Sequence, residues 1–408
     1  MAVPWHRIEA FSDHFAHCAV TAGETAVVLA EADSRPELVE VATIALERLG
    51  ALVATVVMPT PPNRGPVPIR STGASVAVGG HRAAIAGLAA ADFIVDCTVE
   101  GLLHAVEKEA ILADGARVLM LSNEHPEVFD RVGHDPSLGE RVARGRARLA
   151  AASTMRVTSS AGTDLTVDLA GAVVAGSDGT VSKPGGIAHW PGGLVLCVPS
   201  AGTVSGTVVM APGDANLTFK EYVRSPITCT LEADHVVDVS GDGLDAELFA
   251  SYLAAWGEPE AYAVSHVGWG MNLDCRWDVL PLYDKADLNG TELRAVAGNF
   301  LWSTGANEVA GRFCRGHFDL PMRNCTVALD GESVVVDGRL VGDLAWSPHR
   351  RDHRRVRSGR ADGEVLGAAD QVGPQAVRGP GDLDLGGALQ QLLQGDPDLH
   401  AGQPRPQA

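Results

Sequence analysis

The sequence predicts a mixed α/β protein in three parts: a doubly wound α/β domain over residues 1–151, a mainly antiparallel, β-rich α+β domain over 152–346, and a disordered tail over 347–408. Three observations carry this expectation. The first 150 residues alternate short apolar runs with helical patterns, near Met155 the texture changes to short β-rich runs among Gly, Ser, Thr and Asp, and from Ser347 onward there is no Lys, Ile, Phe, Tyr or Trp.

In the first part, apolar runs at Ala26 to Ala30, Leu52 to Met58, Phe93 to Cys97 and Val118 to Ser122 read as strands, and Pro36 to Leu49, Ala83 to Ala90, Leu102 to Leu112 and Leu138 to Ala151 read as helices. Phe93-Ile94-Val95-Asp96-Cys97 and Val118-Leu119-Met120-Leu121 are apolar at successive positions, as strands covered on both faces of a parallel sheet are. The turn after the first strand, Ala30-Glu31-Ala32-Asp33-Ser34-Arg35-Pro36, has no glycine finger for a pyrophosphate, and no phosphate-binding GxxxxGK[ST] occurs. The pair Gly79-Gly80 precedes a helix but follows no buried strand in the dinucleotide register.

In the second part, strand-like runs fall at Met155 to Ser159, Leu165 to Leu169, Leu194 to Pro199, Gly206 to Met210, Ile227 to Leu231, Val236 to Val239, Ala261 to Val267, Thr326 to Leu329 and Ser333 to Val336. One helix, near Leu244 to Trp256, interrupts them. The tail is rich in Arg, Gly, Pro, Gln and Asp, so it offers little apolar surface to offset the entropy of ordering. Its abrupt onset after Asp343-Leu344-Ala345-Trp346 fits either a natural flexible tail or read-through in a shifted frame.

Composition narrows the function. The chain has 408 residues, 46% hydrophobic and 20% charged, with no segment approaching the roughly 18 apolar residues of a bilayer span. No membrane association is expected. The start, Met1 to Phe11, lacks a basic segment followed by an apolar one, so a cytoplasmic location is expected. A formal charge of -19 and the absence of a basic stripe in the main body argue against nucleic acid as a partner. The seven cysteines are scattered, odd in number and free of CxxC pairs, which fits reduced core thiols.

Candidate chemistry centres on Gly316-His317-Phe318-Asp319-Leu320-Pro321. Residues two apart on a strand point to the same face, so His317 and Asp319 can converge on one ion. Pro321 interrupts ladder pairing and places the pair near a strand end or on an edge strand. In Ser265-His266-Val267-Gly268-Trp269-Gly270, His266 ends a strand-like run next to glycines that permit close backbone paths. Two histidines and one carboxylate make a facial set that leaves three coordination positions open on iron(II), and zinc or manganese could use the same ligands. His104 and His189 read either as acid–base groups or as, respectively, a helix-start and a loop-packing residue. Glu100, Glu124 and Glu292 are the carboxylates available for a second metal, but none lies in a recognisable bridging motif.

Taken in order, Leu102-Leu103-His104, Ala188-His189-Trp190-Pro191, Ser265 to Gly270, Gly298-Asn299-Phe300-Leu301-Trp302-Ser303-Thr304-Gly305 and His317 to Cys325 are far more specific than any one motif. Through them the chain, from its start to about residue 345, resembles the 2,5-dihydroxypyridine 5,6-dioxygenases of nicotinate degradation, within a superfamily that includes the M29 metal aminopeptidases. The resemblance implies a mononuclear non-haem Fe(2+) held by His266, His317 and Asp319, with His104 as the catalytic acid–base residue and His189 and Ser303 contacting substrate. It also implies a small aromatic substrate, dioxygen as co-substrate, N-formylmaleamate as product and a homo-oligomer. Arg323 and Asn324, which follow the ligand pair, are expected to be structural. The alternative reading is a metal-dependent hydrolase, either an M29-like aminopeptidase or an aromatic aminohydrolase.

Overall fold

The computed structural model describes residues 3–63, 74–307 and 310–345; the expected tail lies outside them. The chain begins α1 (Trp5–His17), β1 (Thr25–Glu31), α2 (Pro36–Arg48), β2 (Leu52–Met58), α3 (Arg82–Ala89), β3 (Phe93–Asp96), α4 (Lys108–Leu112), β4 (Arg117–Met120), α5 (Pro126–Arg131) and α6 (Pro136–Ala151). It continues through β5 (Thr154–Ser159), β6 (Asp164–Asp168), β7 (Val173–Ser177), β8 (Ile187–His189), β9 (Leu194–Val198), β10 (Val204–Met210), β11 (Ala215–Asn216), β12 (Glu221–Tyr222), β13 (Ile227–Glu232) and β14 (His235–Ser240). Last come α7 (Leu244–Ala255), β15 (Val264–Gly270), α8 (Thr291–Ala295), β16 (Phe300–Asn307), β17 (Arg312–Met322), β18 (Cys325–Leu329), β19 (Glu332–Val336) and β20 (Arg339–Leu340).

The parallel sheet runs β2-β1-β3-β4-β8. Strand side chains alternate between its faces, and each face has its own apolar cluster. Ala26, Val28, Phe93, Val95 and Leu119 pack under α1, α2 and Phe129, whereas Val27, Leu29, Ile94, Val118 and Met120 pack with Leu88, Ile111 and Leu112. Helix α2 shows the cause: Pro36 stands in its first turn, and Leu38, Val41, Ala42, Ala45 and Leu46 form one buried stripe at helical spacing. Helix α1, whose Ile8, Phe11 and Phe15 make the same kind of stripe, was not among the expected elements.

Strand β8 lies beyond the boundary expected near 152, yet it adds to the parallel sheet beside β4, with Met120 opposite His189. Besides the small pair β11-β12, the remaining strands form two large antiparallel sheets, β14-β13-β10-β6-β5-β18-β19-β20 and β17-β16-β15-β9-β7. One apolar cluster joins them, with Val157, Leu165 and Val208 from the first, Val267, Trp302 and Phe318 from the second, and Phe249 and Leu253 from α7.

Two expected elements are shorter than their patterns suggest. The stretch Leu102 to Leu112 is helical only as α4, and Ala261 to Val267 divides into a 3-10 turn at Pro259–Tyr262 and the start of β15. The first is cut short because the buried Asp96 carboxylate accepts the backbone N–H of Thr98 and of Leu102, at 2.9 and 2.8 Å, and Gly101 adopts a positive φ of 81°. His104 therefore lies in a turn and does not start a helix. None of the seven cysteines forms a disulfide, and all but Cys314 are buried. Among the described residues no helix is long and apolar enough to cross a membrane.

The Gly268-Trp269-Gly270 motif answers a packing demand in the centre of the second antiparallel sheet. A Cβ on Gly268 would stand 2.1 Å from the Val195 carbonyl oxygen of β9, and one on Gly270 would stand 2.1 Å from that of Val296. Gly268→Ala must force β9 and β15 apart and is expected to destabilise the protein by about 2–4 kcal/mol, the range of severe core changes. Urea denaturation of the variant against the wild type measures this, and an unchanged midpoint would contradict it.

Candidate metal centre

Three neighbouring strands build the centre. The order β17-β16-β15 puts β16 between the strands that carry the candidate ligands. Strands lie about 4.8 Å apart, so the outer two are about 10 Å apart and their side chains must reach inward over β16. They can do so because β16 presents small residues there: Ser303 opposes Asp319 and Gly305 opposes His317 in register. Strand β17 is an edge strand with Pro321 near its end, the setting expected for the His-x-Asp pair.

His266 is aimed by an irregularity. The β15–β16 register shifts between Val264 and Val267, so Ser265 and His266 have no ordinary ladder partners. Ser303 supplies them: its Oγ accepts from the His266 backbone N–H at 3.0 Å and lies 3.3 Å from the His266 carbonyl oxygen, to which it can donate. The Ser265 hydroxyl donates to the Ala306 carbonyl and anchors the other end of the bulge.

The side chains then converge. His266 Nε2 is 3.3 Å and His317 Nε2 3.5 Å from Asp319 Oδ1. Among the described residues these three make the group able to offer a metal three donor atoms, all within 4.8 Å of one another. Asp319 Oδ1 is buried and faces only the two imidazole nitrogens, so three potential donor atoms point to one place. That arrangement fits a cation. The other oxygen, Oδ2, is taken by Arg294 Nε at 2.5 Å.

The electrostatics favour the same state. Burial opposes a charge on Asp319, yet Arg294, then His317 and His266, hold its pKa well below the usual carboxylate range. His317 is pushed down to about 4, chiefly by burial, with His104 and His266 adding to the effect against the pull of Asp319. A neutral imidazole beside an ionised carboxylate is the protonation state that metal ligation requires.

His104 and His189 come from the carboxyl ends of the parallel strands. The His104 ring, in the turns after β3, lies 4.5 Å from the His317 ring. His189 ends β8 and is buried; its Nδ1 lies 3.1 Å from the Pro191 carbonyl oxygen, which can only accept, so Nδ1 carries the proton and Nε2 keeps its lone pair. Burial lowers the His189 pKa, and the charges of Arg294 and Asp319 reach it. Ser303 is fully buried, with its hydroxyl engaged by the His266 backbone. Among the acids weighed for a second metal, Glu124 accepts the N–H groups of Asn289 and Thr291, Glu292 pairs with Arg131, and Glu100 is buried just before the His104 turn. Arg323 stacks over Trp277 and its N–H is held by Asp214, while Asn324 turns the chain with a φ of 56°.

Arg294 is the residue that sequence reasoning missed. Thr291-Glu292-Leu293-Arg294 resembles any short solvated helix, and only the position of α8 beside β17 turns the guanidinium inward.

Comparison with known proteins gives the family. The sequence profile described as NicX, 2,5-dihydroxypyridine 5,6-dioxygenase, matches residues 6–342. This chain belongs to that family. A 2,5-dihydroxypyridine 5,6-dioxygenase of Pseudomonas putida is 36% identical over 323 residues, covering 78% of this chain and 91% of the relative. The solved structure of the 2,5-dihydroxypyridine dioxygenase from Pseudomonas putida aligns with a TM-score of 0.79 and 32% identity, over 83% of this chain and 98% of that one. AmpT from Thermus thermophilus aligns with a TM-score of 0.53 over 84% of this chain and 100% of its own, and at 14% identity the likeness concerns the fold alone. Membership of the NicX family makes this protein a dioxygenase, as the motifs led one to expect.

The turn that presents His104 carries its own titration. Burial pushes Asp96 up to about 6, against the hydrogen bonds from Thr98 and Leu102. A carboxyl whose folded pKa exceeds its unfolded value adds stability below the unfolded pKa near 4, and that contribution is lost as pH rises through about 6. Wild type minus Asp96→Asn stability should therefore fall by about 1–3 kcal/mol between pH 4 and pH 7. Urea titrations of both proteins at the two pH values read this difference, and a rise with pH would refute the assignment.

Proposed function

We propose that the protein is a mononuclear non-haem iron(II) enzyme that opens the ring of a hydroxylated pyridine, with 2,5-dihydroxypyridine as substrate and N-formylmaleamate as product. The observation that carries this reading is the convergence of His266, His317 and Asp319 within 4.8 Å, beneath the His104 ring, in a chain of this dioxygenase family. His266 Nε2, His317 Nε2 and one Asp319 oxygen would hold the ion on one side. Iron(II), when bound, would leave positions for the ring hydroxyl and dioxygen and overcome the spin barrier between them.

The chain's own groups do the rest. His104 would take the proton from the 5-hydroxyl oxygen as the ring becomes electron-rich and return it later. His189 Nε2, left as an acceptor by the bond at Nδ1, can hold a second hydroxyl of the ring. Ser303, buried on the strand between those of the candidate ligands, braces the His266 backbone and would meet the substrate there as a small residue. Both oxygen atoms of dioxygen enter the product, which differs from the substrate by just those two atoms, so no external reductant is required. The missing dinucleotide fingerprint fits that balance.

Anaerobic loading with iron(II), followed by 2,5-dihydroxypyridine and dioxygen, tests the reading through oxygen uptake and loss of ring absorbance. Uptake of one dioxygen per ring is expected. His317→Ala should lose both iron and turnover, whereas His104→Ala should keep the iron and lose about 10²–10⁴-fold in kcat, the usual worth of a general base. A folded, iron-loaded protein that consumed no oxygen with this or any related hydroxypyridine would overturn the proposal.

A further inference from the structure

A facial metal site uses one oxygen of its carboxylate and keeps the remaining positions open. Here Arg294 occupies Asp319 Oδ2 at 2.5 Å and leaves Oδ1 turned toward the two imidazole nitrogens. Arg294 is carried by α8, which is five residues long and too short to hold its own shape. Other parts of the molecule hold it. Glu124, just after β4 in the parallel half, accepts the N–H of Asn289 at 3.2 Å and of Thr291 at 3.0 Å. Arg131 of α5, in the same half, donates to both oxygens of Glu292 at 2.9 and 2.8 Å, and the Arg276 N–H adds a bond of 2.7 Å. Asn299, just before β16, closes the other end of the helix on the Leu293 and Arg294 carbonyls, at 2.8 and 3.0 Å.

We infer that Arg294 is a positioning residue that commits Asp319 to one-oxygen ligation, and that Glu124 and Arg131 of the parallel half set its aim through α8. The inference rests on the reading of His266, His317 and Asp319 as metal ligands. Without the guanidinium, Oδ2 would be left buried and unpaired, and the carboxylate would be drawn to turn both oxygens toward the metal, closing a position that a substrate or dioxygen needs. Metal affinity and coordination number thus depend on contacts made by the half of the molecule that carries none of the three ligands. Groups in the shell around metal ligands characteristically change affinity by about 10–100-fold when removed.

The test is anaerobic cobalt(II) titration of the full chain by calorimetry and d–d absorption, with His317→Ala as control. Arg294→Gln should change cobalt affinity about 10–100-fold and shift the d–d bands toward higher coordination, and Arg294→Lys should restore part of both. Glu124→Gln should move affinity and spectrum the same way by a smaller factor while circular dichroism stays that of the folded protein. If Glu124→Gln does not fold, Arg131→Lys reads the same link, and wild-type affinity there overturns the role of α8. Wild-type affinity and spectrum in Arg294→Gln overturn the whole inference, provided His317→Ala loses cobalt. Undiminished binding by His317→Ala would instead bring down the metal-centre reading on which the inference stands.

Discussion

Asp319 presents an ionised carboxylate in a place that water scarcely reaches, and most of the site can be understood as what that charge requires. A buried carboxylate is tolerated only where its oxygens are paired. Arg294 pairs one oxygen and two imidazoles stand near the other. The strand between the ligand strands must be small so that these groups can meet above it, which Ser303 and Gly305 satisfy. Ser303 also replaces the ladder bonds that the His266 bulge gives up. Residues that look unrelated in sequence thus answer one electrostatic demand.

The two halves of the protein divide the work. The antiparallel sheet supplies rigid neighbouring strands, on which side-chain positions are set by register, and so it carries the convergent His266, His317 and Asp319. The parallel sheet supplies turns at its carboxyl ends, and these bring the His104 ring to 4.5 Å from that of His317 and put His189 within reach of the Asp319 charge. In many doubly wound sheets the reversal of strand order leaves a crevice for a ligand, here between β1 and β3. In this chain Glu31 at the end of β1 accepts the Val99 N–H, and Asp96 at the end of β3 holds Thr98 and Leu102. The chain's own loop therefore engages the strand ends where a nucleotide would sit, and the same bonds present His104.

Much of this was legible in the sequence, for local reasons. His317 and Asp319 lie two apart in an extended segment, so their convergence needs only strand geometry, and Pro321 announced the edge. The β-rich and βα textures are periodicities of 2 and 3.6, which the chain expresses residue by residue. Leu102 to Leu112 misled because its apolar spacing suits a helix, while the buried Asp96 carboxylate that cuts the helix short lies outside that window. Strand β8, three residues among glycines and prolines, carries too little pattern to show which sheet it joins.

By itself the sequence determined which residues carry groups able to ligate a metal or move a proton, the strand that pairs His317 with Asp319, and the family to which the motifs point. Only the tertiary structure decided that α8 turns Arg294 onto Asp319, that Ser303 braces the His266 bulge, and that β8 crosses into the parallel sheet with His189 at its end. The reason is physical. Spacing along a chain governs which side chains share a face, whereas contacts between distant segments depend on how whole sheets and helices bury their apolar faces against one another, and no short window of sequence contains that information.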